Sequence, residues 1–142
     1  MTVLSILGNK GNNVITLPPT ASLSEVCETL AKKRIGAVLI VDGAKIAGII
    51  SERDIVRKLA AAGAGALDSA AADCMTKKLV TCTRSDTIPF IMEKMTEGRF
   101  RHIPVVEDGK LVGVISIGDV VKHRIAEVER EADELRSYIS AT

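Results

Sequence analysis

The chain has 142 residues, of which 46% are hydrophobic, 26% charged and 2% aromatic. This length suits one compact domain or two closely packed halves, and with so few aromatic side chains the core must be aliphatic. Nineteen lysine and arginine side chains against eighteen aspartate and glutamate side chains leave a net charge of +1. No strong field of one sign is available to hold nucleic acid or an acidic membrane, and aromatic platforms for single-stranded bases are missing.

Hydropathy and cysteine usage further narrow the class of protein to which the chain can belong. No apolar run approaches the roughly 18–20 residues that cross a bilayer, and the N-terminus lacks the apolar core of a signal peptide, so we expect a cytoplasmic protein without a membrane partner. The three cysteines, Cys27, Cys74 and Cys82, are odd in number and lack metal-ligand spacing. They predict reduced thiols, with no disulfide framework and no metal site.

The first half of the chain predicts a short helix, a strand, a helix, a hairpin and a closing helix. Ser22 and Glu25 form the capping-box start of the second helix, whose apolar residues recur on one face. Asp42-Gly43 between two apolar runs is a strong hairpin signal. The expected positions are Val3–Leu7, Val14–Leu17, Leu23–Ala31, Ala37–Val41, Ile46–Ile50 and a helix that begins at Ser51.

The second half predicts the same order after an Ala/Gly linker at Gly63–Ala66. Thr87 is the expected cap of its main helix, with Pro89 in the first turn, where the missing N–H costs little. In the first hairpin Asp42-Gly43 directly follows Val41, whereas in the second Glu107 separates Val106 from Asp108-Gly109. Because the dipeptide lies one position later in its hairpin, we expect the two turns to differ in geometry. The expected positions are Ser69–Met75, Leu79–Thr83, a helix after Thr87, His102–Val106, Leu111–Ile115 and a helix that begins at Ser116.

The two halves match because the sequence repeats at an offset of 65 residues. Arg34–Arg57 aligns with Arg99–Lys122 without a gap, and eight of the 24 positions are identical, where chance would give roughly one or two. We therefore expect an α/β fold of the α+β kind built from two β-α-β-β-α repeats with pseudo-two-fold symmetry. The expected divisions are a first repeat at 1–62, a linker at 63–68, a second repeat at 69–124 and a C-terminal helical extension at 125–142.

The C-terminal segment carries an apolar stripe with heptad-like spacing of 4, 3, 4, 3 and 4 residues. Such a stripe on a long helix needs a complementary helix, which predicts a homodimer or contact with another protein. Val121, Ile125 and Val128 either join that contact or pack on their own domain. The stripe comprises Val121, Ile125, Val128, Ala132, Leu135 and Ile139.

Two heptapeptides, Gly48–Asp54 and Gly113–Asp119, each end a buried strand and begin a helix with Ser-x-x-Asp. One interpretation is purely structural, because serine at the N-cap and an acidic residue at the third helical position form a capping box. The other is functional. A helix N-terminus directs N–H groups and positive potential at one spot, which suits phosphate, and a carboxylate one turn inside can accept both ribose hydroxyls.

The repeat, the two Ser-x-x-Asp heptapeptides and the run Arg99–Val106 resemble a tandem pair of cystathionine-β-synthase (CBS) domains, also called a Bateman module. The resemblance covers residues 1–124. It implies two α/β units with their sheets facing each other, and two clefts between them. Such clefts bind adenosine-containing ligands such as AMP, ADP, ATP, NAD(H) or S-adenosylmethionine.

The resemblance also implies roles for individual residues. Asp54 and Asp119 would hold ribose hydroxyls, with Ser51 and Ser116 near the phosphates. The start of the first strand in each repeat would receive the adenine edge, usually lent by the opposite repeat, and basic residues before the second strand would reach the phosphates. The adenine positions are Val14, Ile15, Thr16, Leu79, Val80 and Thr81, and the basic residues are Arg101 and His102.

The first repeat departs from that pattern, because Gly36 and Ala37 stand in place of Arg101 and His102. Its cleft would therefore bind phosphate more weakly, depend on Arg101 or His102 from the other repeat, or prefer another ligand. Arg53 and Arg57 are expected to be solvated helix residues.

The sequence offers no nucleophile–histidine–acid arrangement, metal cluster or Gly-x-x-x-x-Gly-Lys phosphate loop, so we expect no enzyme and no catalytic cofactor. The favoured function is that of a stand-alone regulatory module. Binding of an adenine nucleotide would change its shape, and a separate regulated protein would respond to that change. The alternative is a nucleotide-independent interaction scaffold in which both Ser-x-x-Asp segments are only caps.

Overall fold

The structure, a computed structural model, describes residues 2–10 and 14–141 of the chain. The described residues form a mixed α/β fold with two small sheets, which confirms the predicted class. The helices are α1 (Val3–Lys10), α2 (Leu23–Lys33), α3 (Glu52–Ala62), α4 (Ala71–Cys74), α5 (Ile88–Gly98) and α6 (Ile117–Ala141), and the strands are β1 (Thr16–Leu17), β2 (Ala37–Asp42), β3 (Lys45–Ser51), β4 (His102–Glu107) and β5 (Lys110–Ser116).

Two compact units are present, and they do not follow the order of the chain. The first-repeat unit comprises residues 14–80 with 109–111, and the second-repeat unit comprises α1 with residues 81–108 and 112–141. Each unit thus contains the helical lead that precedes the other repeat in sequence. The divisions drawn from the 65-residue repeat describe the sequence and stay a prediction.

Backbone hydrogen bonds hold each exchanged lead in its unit. In the first-repeat unit, the N–H of Ala71 donates to the carbonyl of Ala21 at 2.7 Å, and the N–H of Leu23 donates to Ser69 at 2.8 Å. In the second-repeat unit, the N–H of Val3 donates to Asp86 at 2.9 Å. The leads are therefore parts of the folded units, because their backbone groups are satisfied there.

The first-repeat unit contains a three-stranded sheet in the order β1-β2-β3, with β1 parallel and β3 antiparallel to β2. Its core is aliphatic, as the composition predicted: Leu23, Val26, Leu30, Val38, Ile40 and Ile50 are buried. The predicted linker is part of this unit as well. Gly63–Asp68 forms a 3₁₀ helix that contacts α2 and α3 and buries Ala66 in the core.

In the second-repeat unit, β4 and β5 pair as a hairpin, and the predicted strand at Leu79–Thr83 is wrong. Only Cys82 bridges to β4, opposite Val105. The next two backbone donors bond to side chains instead: Thr83 N–H to Asp86 Oδ2 at 2.8 Å and Arg84 N–H to Glu107 Oε1 at 2.7 Å. Such side-chain acceptors compete with a strand ladder, so pairing stops after one residue.

Helix caps and turns follow the sequence closely. Ser22 and Thr87 cap α2 and α5 as predicted, and Pro89 lies in the first turn of α5. The predicted difference between the hairpin turns is confirmed. In the first turn Gly43 has a φ of 62°, whereas in the second both Asp108 and Gly109 have positive φ, at 50° and 75°.

Helix α6 has 25 residues, and no described helix is both long and apolar enough to cross a membrane. Its first part packs in the core of the second-repeat unit through Val120 and contacts α1 and α5. The apolar stripe beyond it faces solvent: Val121, Ile125 and Val128 are exposed. Of the two alternatives left open for these three residues, packing on their own domain does not agree with this exposure.

Burial decides the reactivity of Cys82, which lies in the core of the second-repeat unit. Loss of hydration raises the pKa of its thiol to about 12. At pH 8 the thiolate fraction is then roughly a thousandfold below that of a thiol with a pKa near 9. We expect iodoacetamide to label Cys27 in the folded protein while Cys82 reacts only after unfolding in guanidinium. Mass spectrometry of peptides measures both, and equal labelling of the two cysteines without denaturant would contradict this burial.

Candidate functional site

The first Ser-x-x-Asp segment joins β3 to α3 through a reciprocal cap. The N–H of Ser51 donates to Asp54 Oδ2 at 2.8 Å, and the N–H of Asp54 donates to Ser51 Oγ at 3.4 Å. The serine hydroxyl also donates to Oδ2 at 3.0 Å. Both side chains are half-buried. These bonds fix the carboxylate of Asp54 at the start of the helix.

The second segment repeats this geometry between β5 and α6. The N–H of Ser116 donates to Asp119 Oδ2 at 2.9 Å, and the N–H of Asp119 donates to Ser116 Oγ at 3.1 Å. Both residues are half-buried. Both segments are therefore helix caps, as one of the two interpretations required, and both present a carboxylate in a fixed orientation at a helix N-terminus.

Thr76 is a residue that the sequence did not single out. Its hydroxyl donates to Asp54 Oδ1 at 3.1 Å, so both oxygens of that carboxylate accept hydrogen bonds. Its backbone pairs with Ile49 in both directions, at 2.8 and 3.0 Å. The contact joins residues 22 positions apart, and the only sequence signal is that Thr76 directly follows a predicted helical lead.

The glycines of the two heptapeptides allow close approach of neighbouring chain segments. A Cβ atom at Gly48 would lie 2.7 Å from Met75 Sδ and 2.8 Å from the carbonyl oxygen of Thr76. A Cβ atom at Gly113 would lie 2.6 Å from Leu7 Cδ2, which belongs to α1. At both positions the lead of the other repeat occupies the space that a side chain would need.

The predicted adenine-contacting residues divide between the two units. Thr16 lies in β1, and Val14 and Ile15 precede it as half-buried residues. Leu79 and Val80 belong to the same unit as Ser51 and Asp54, while Thr81 is exposed in the second-repeat unit. The first-repeat unit therefore holds one complete Ser-x-x-Asp segment together with five of the six adenine candidates, which are Val14, Ile15, Thr16, Leu79 and Val80.

Arg101 lies at the N-terminus of α6. Its carbonyl oxygen accepts a hydrogen bond from the N–H of Ile117 at 2.8 Å, and its side chain is exposed. His102 follows it as the first, half-buried residue of β4. Arg101 also lines an open groove of about 650 Å³, whose other lining residues are Ile117, Gly118, Val121, Lys122 and Ile125.

In the first-repeat unit, the arginine near the helix start belongs to the helix α3, not to the residue before the second strand. There the carbonyl of Gly36 accepts from the N–H of Glu52 at 3.0 Å. Gly36 stands where the second repeat has Arg101, and Arg53 stands where it has Gly118. Arg53 is exposed, as expected for the outer face of a helix. One arginine is therefore placed near each helix start. It is Arg101, just before β4, in the second-repeat unit, and Arg53, in α3, in the first-repeat unit.

Metal chemistry gains no support from the described residues, among which no group of three or more histidine, cysteine, aspartate or glutamate side chains could hold an ion. Burial raises the pKa of Cys74, which further disfavours its thiolate as a ligand. The chemistry that the two caps offer is hydrogen-bond acceptance by a fixed carboxylate at a helix N-terminus.

The family model of the CBS domain matches the chain twice, over residues 10–61 and 71–126. Among solved structures, the CBS-domain-containing protein ATU1752 from Agrobacterium tumefaciens is 45% identical, with a TM-score of 0.86; the alignment covers 87% of this chain and 99% of that one. These matches agree with the duplicated fold described above.

Two further similar structures contain ligands. The CBS domain protein PAE2072 from Pyrobaculum aerophilum, solved in complex with AMP, is 32% identical, with a TM-score of 0.74 and coverage of 84% of this chain and 89% of that one. The CBS domain pair of protein MJ0100, solved with 5′-methylthioadenosine and S-adenosyl-L-methionine, is 26% identical, with a TM-score of 0.80 and coverage of 89% and 98%.

Curated relatives are longer than this chain. One CBS domain-containing protein from Arabidopsis thaliana is 35% identical over 120 residues, and the chain spans 81% of its own length but 58% of that relative. It spans 23% of another Arabidopsis relative. The matched part is the duplicated domain.

The close approach at Gly48 predicts the effect of one added methyl group. We expect Gly48→Ala to lower the free energy of unfolding by about 1–3 kcal/mol, because the backbone carbonyl of Thr76 must move. Gly118→Ala is the matched control in the other repeat, since the nearest atom, Ser116 Oγ, lies 3.6 Å from the added Cβ. Chemical denaturation followed by circular dichroism measures both, and an unchanged midpoint for Gly48→Ala would show that residues 75–76 do not lie against β3.

Proposed function

Because the chain belongs to the CBS domain family, with the domain present twice, we propose that it is a regulatory module that binds adenosine-containing ligands at its two Ser-x-x-Asp segments. The ligand class comprises AMP, ADP, ATP and NAD(H). Complexes of two similar proteins with AMP and with S-adenosyl-L-methionine and 5′-methylthioadenosine support an adenosine group as the common element.

The fixed carboxylates are the observation that carries this proposal. In each segment the serine N–H holds Oδ2 of the aspartate, so the carboxylate is oriented before any ligand arrives. A carboxylate has about four lone-pair positions. At Asp54 three of them accept from Ser51 N–H, the Ser51 hydroxyl and the Thr76 hydroxyl, so acceptance of both ribose hydroxyls there requires one of the two protein hydroxyls to turn away. We assign acceptance of the ribose hydroxyls to Asp54 and Asp119. Binding then costs little reorganisation, because the acceptor does not have to be ordered first.

Phosphate recognition is assigned to the helix starts and the basic residues beside them. Ser116, Arg101 and His102 belong to one such start, and the groove lined by Arg101 and Gly118 adjoins it. Partial positive charge at the helix N-terminus and a guanidinium both favour a phosphate group. Near Ser51, Gly36 occupies the position of Arg101 and has no side chain to contact a phosphate. We assign that contact to Arg53 instead.

Adenine recognition is assigned to the segments around Thr16 and Thr81. Short extended segments expose backbone donors and acceptors that match the edge of a purine, while half-buried aliphatic side chains contact its faces. The residues concerned are Val14, Ile15, Thr16, Leu79, Val80 and Thr81.

The proposed activity is binding and not catalysis, and its output requires a second protein. Ligand binding can shift the equilibrium between two conformations of the module only to the extent that the ligand binds one of them more tightly than the other. The regulated partner is therefore one that distinguishes those conformations. The cytoplasmic location expected from the sequence stays a prediction, and one Arabidopsis relative is described as mitochondrial.

A nucleotide-independent scaffold is the second candidate, and one observation favours it. Both Ser-x-x-Asp segments form reciprocal caps, so their residues have a structural role whether or not a ligand binds. The exposed stripe of α6 would then carry the function through contact between proteins. Ligand titration separates the two candidates.

We expect isothermal titration calorimetry to detect AMP binding to the wild-type protein, and Asp119→Asn to weaken it at the second segment by at least about tenfold. Asparagine keeps an oxygen that can accept the cap hydrogen bond but loses the charge and one acceptor for the ribose. Asp54→Asn tests the first segment in the same way.

Glu25→Gln is the matched control, because Glu25 occupies the same position in the cap of α2 but lies outside the proposed sites. It should leave AMP affinity unchanged. If neither AMP, ATP, NADH nor S-adenosylmethionine binds to the folded wild type, the scaffold is supported. If AMP binds equally to all variants, the ribose role of the two aspartates is wrong.

We also propose that the chain forms a homodimer through α6. Leu135 and Ile139 are 60% and 63% exposed in the single chain, and a long apolar stripe needs a partner surface. The double variant Leu135→Asp/Ile139→Asp should shift the mass in multi-angle light scattering from dimer to monomer. Arg130→Asp, which places a carboxylate on the opposite face of the same helix, is the control. A mass that stays dimeric in the first variant would exclude the stripe as the interface.

A further inference from the structure

The charges that flank the α6 stripe also define the direction of the partner helix. We propose that a second copy of this chain packs along the stripe in parallel, so that equivalent residues of the two α6 helices lie side by side. This inference rests on the homodimer of the proposed function, but it does not depend on ligand binding. The stripe is Val121, Ile125, Val128, Ala132, Leu135 and Ile139, of which all but Ala132 are between 47% and 63% exposed.

The stripe spacing assigns each residue of α6 to a heptad position. Ile125, Ala132 and Ile139 occupy position a, while Val121, Val128 and Leu135 occupy position d. Two of the three residues at position a, Ile125 and Ile139, are β-branched, and such residues at position a favour pairs of parallel helices. Position g then contains Arg124, Glu131 and Tyr138, and position e contains Lys122, Glu129 and Arg136. These are the positions where flanking charges of two helices meet.

In a parallel pair, each g residue lies next to the e residue that follows five positions later on the other helix. Arg124 then meets Glu129 of the second copy, and Glu131 meets Arg136 of the second copy. Both contacts join opposite charges, and two-fold symmetry repeats each of them. The stripe is therefore electrostatically complementary to itself in this direction.

An antiparallel pair centred on the stripe gives the opposite result. There g faces g and e faces e, so the two copies of Glu131 meet, as do the two copies of Glu129. Lys122 meets Arg136 at the ends. Like charges in these positions are destabilising, so the same sequence disfavours the antiparallel arrangement.

Existing ion pairs within α6 do not oppose this assignment. Arg124 contacts Glu127 at 2.7 Å and Arg136 contacts Asp133 at 3.4 Å, each within one helical turn. The pair at Arg136 is exposed on both sides, and exposed pairs hold side chains only weakly. Each arginine has several donors and can bridge to a second carboxylate on a neighbouring helix.

The geometry of the fold also prepares the helix for pairing. The stripe spans about 27 Å at 1.5 Å per residue, and the first turns of α6 are anchored in the core through Val120. Because the helix is already formed, association does not have to order it, which lowers the cost of a short interface.

Disulfide trapping tests the direction. Val128→Cys and Leu135→Cys are made separately in a Cys27→Ser/Cys74→Ser background, in which Cys82 stays buried. We expect both single variants to form disulfide-linked dimers on mild oxidation. An antiparallel pair can bring at most one of these positions next to its own copy, because their separation along the helix is about 10 Å. The antiparallel pair centred on the stripe places Val128 beside Ala132 and Leu135 beside Ile125, so it crosslinks at neither position. Failure to crosslink at either position would therefore overturn the parallel arrangement.

Charge exchange gives an independent readout. Glu131→Arg and Arg136→Glu each create like-charge contacts in a parallel homodimer, and we expect each to raise the dimer dissociation constant about tenfold. When the two variants are mixed, every contact in the parallel heterodimer joins opposite charges, so the heterodimer should form in preference to either homodimer. Glu134→Arg, a change at position c, is the control and should leave the dimer unaffected.

The outcomes separate the two proposals. A wild-type monomer in light scattering would overturn both the dimer and its direction. A dimer without the heterodimer preference, or one in which either cysteine fails to crosslink, would overturn the parallel direction alone. AMP titration of the Leu135→Asp/Ile139→Asp variant reports on the ligand sites separately, so failure of the nucleotide proposal is recognised by a different measurement.

Discussion

The reciprocal hydrogen bonds between serine and aspartate are the constraint on which the rest of the structure depends. At residues 51–54 and 116–119, a buried strand ends and a helix begins within a single turn, and the cap satisfies backbone donors that would otherwise lack partners. The same bonds hold a carboxylate in place at the start of the helix. A cap that is needed for folding is therefore also an ordered acceptor, and this dual role explains why the sequence alone could not separate the two interpretations of Ser-x-x-Asp.

The exchange of helical leads is what makes the environments of these caps specific. Met75 and Thr76 lie against Gly48, whereas Leu7 lies against Gly113. As a result, the strand that leads to each cap lies against a segment that precedes the other repeat in sequence. Neither half of the sequence, taken as a contiguous piece, contains all the residues of one compact unit.

Local signals predicted the elements well, and tertiary contacts account for the failures. Ser22, Thr87 and the Asp-Gly turns act within three or four residues, so their helices and hairpins could be located from the sequence. The failed strand at Leu79–Thr83 has the composition of a strand, but Asp86 and Glu107 capture its next donors. The bond from Thr76 to Asp54 likewise depends on chain exchange, which periodicity cannot reveal. The residue before β4 is Arg101, but its counterpart in the first repeat is Gly36, so aligning the repeats supplied a basic candidate for only one of the two helix starts.

Continuity of α6 connects the two surfaces to which functions are assigned. Asp119 lies in its first turn, and the stripe begins two residues later at Val121. The groove beside the helix start is lined by Arg101 together with Val121 and Ile125. A phosphate held at Arg101 and a second copy packed on the stripe would thus contact one continuous surface. Where the contacts of two occupants overlap, each changes the affinity of the other, and by linkage the change is equal in both directions. The two proposals together therefore predict that adenosine-ligand binding and self-association of this chain are coupled through the first three turns of a single helix.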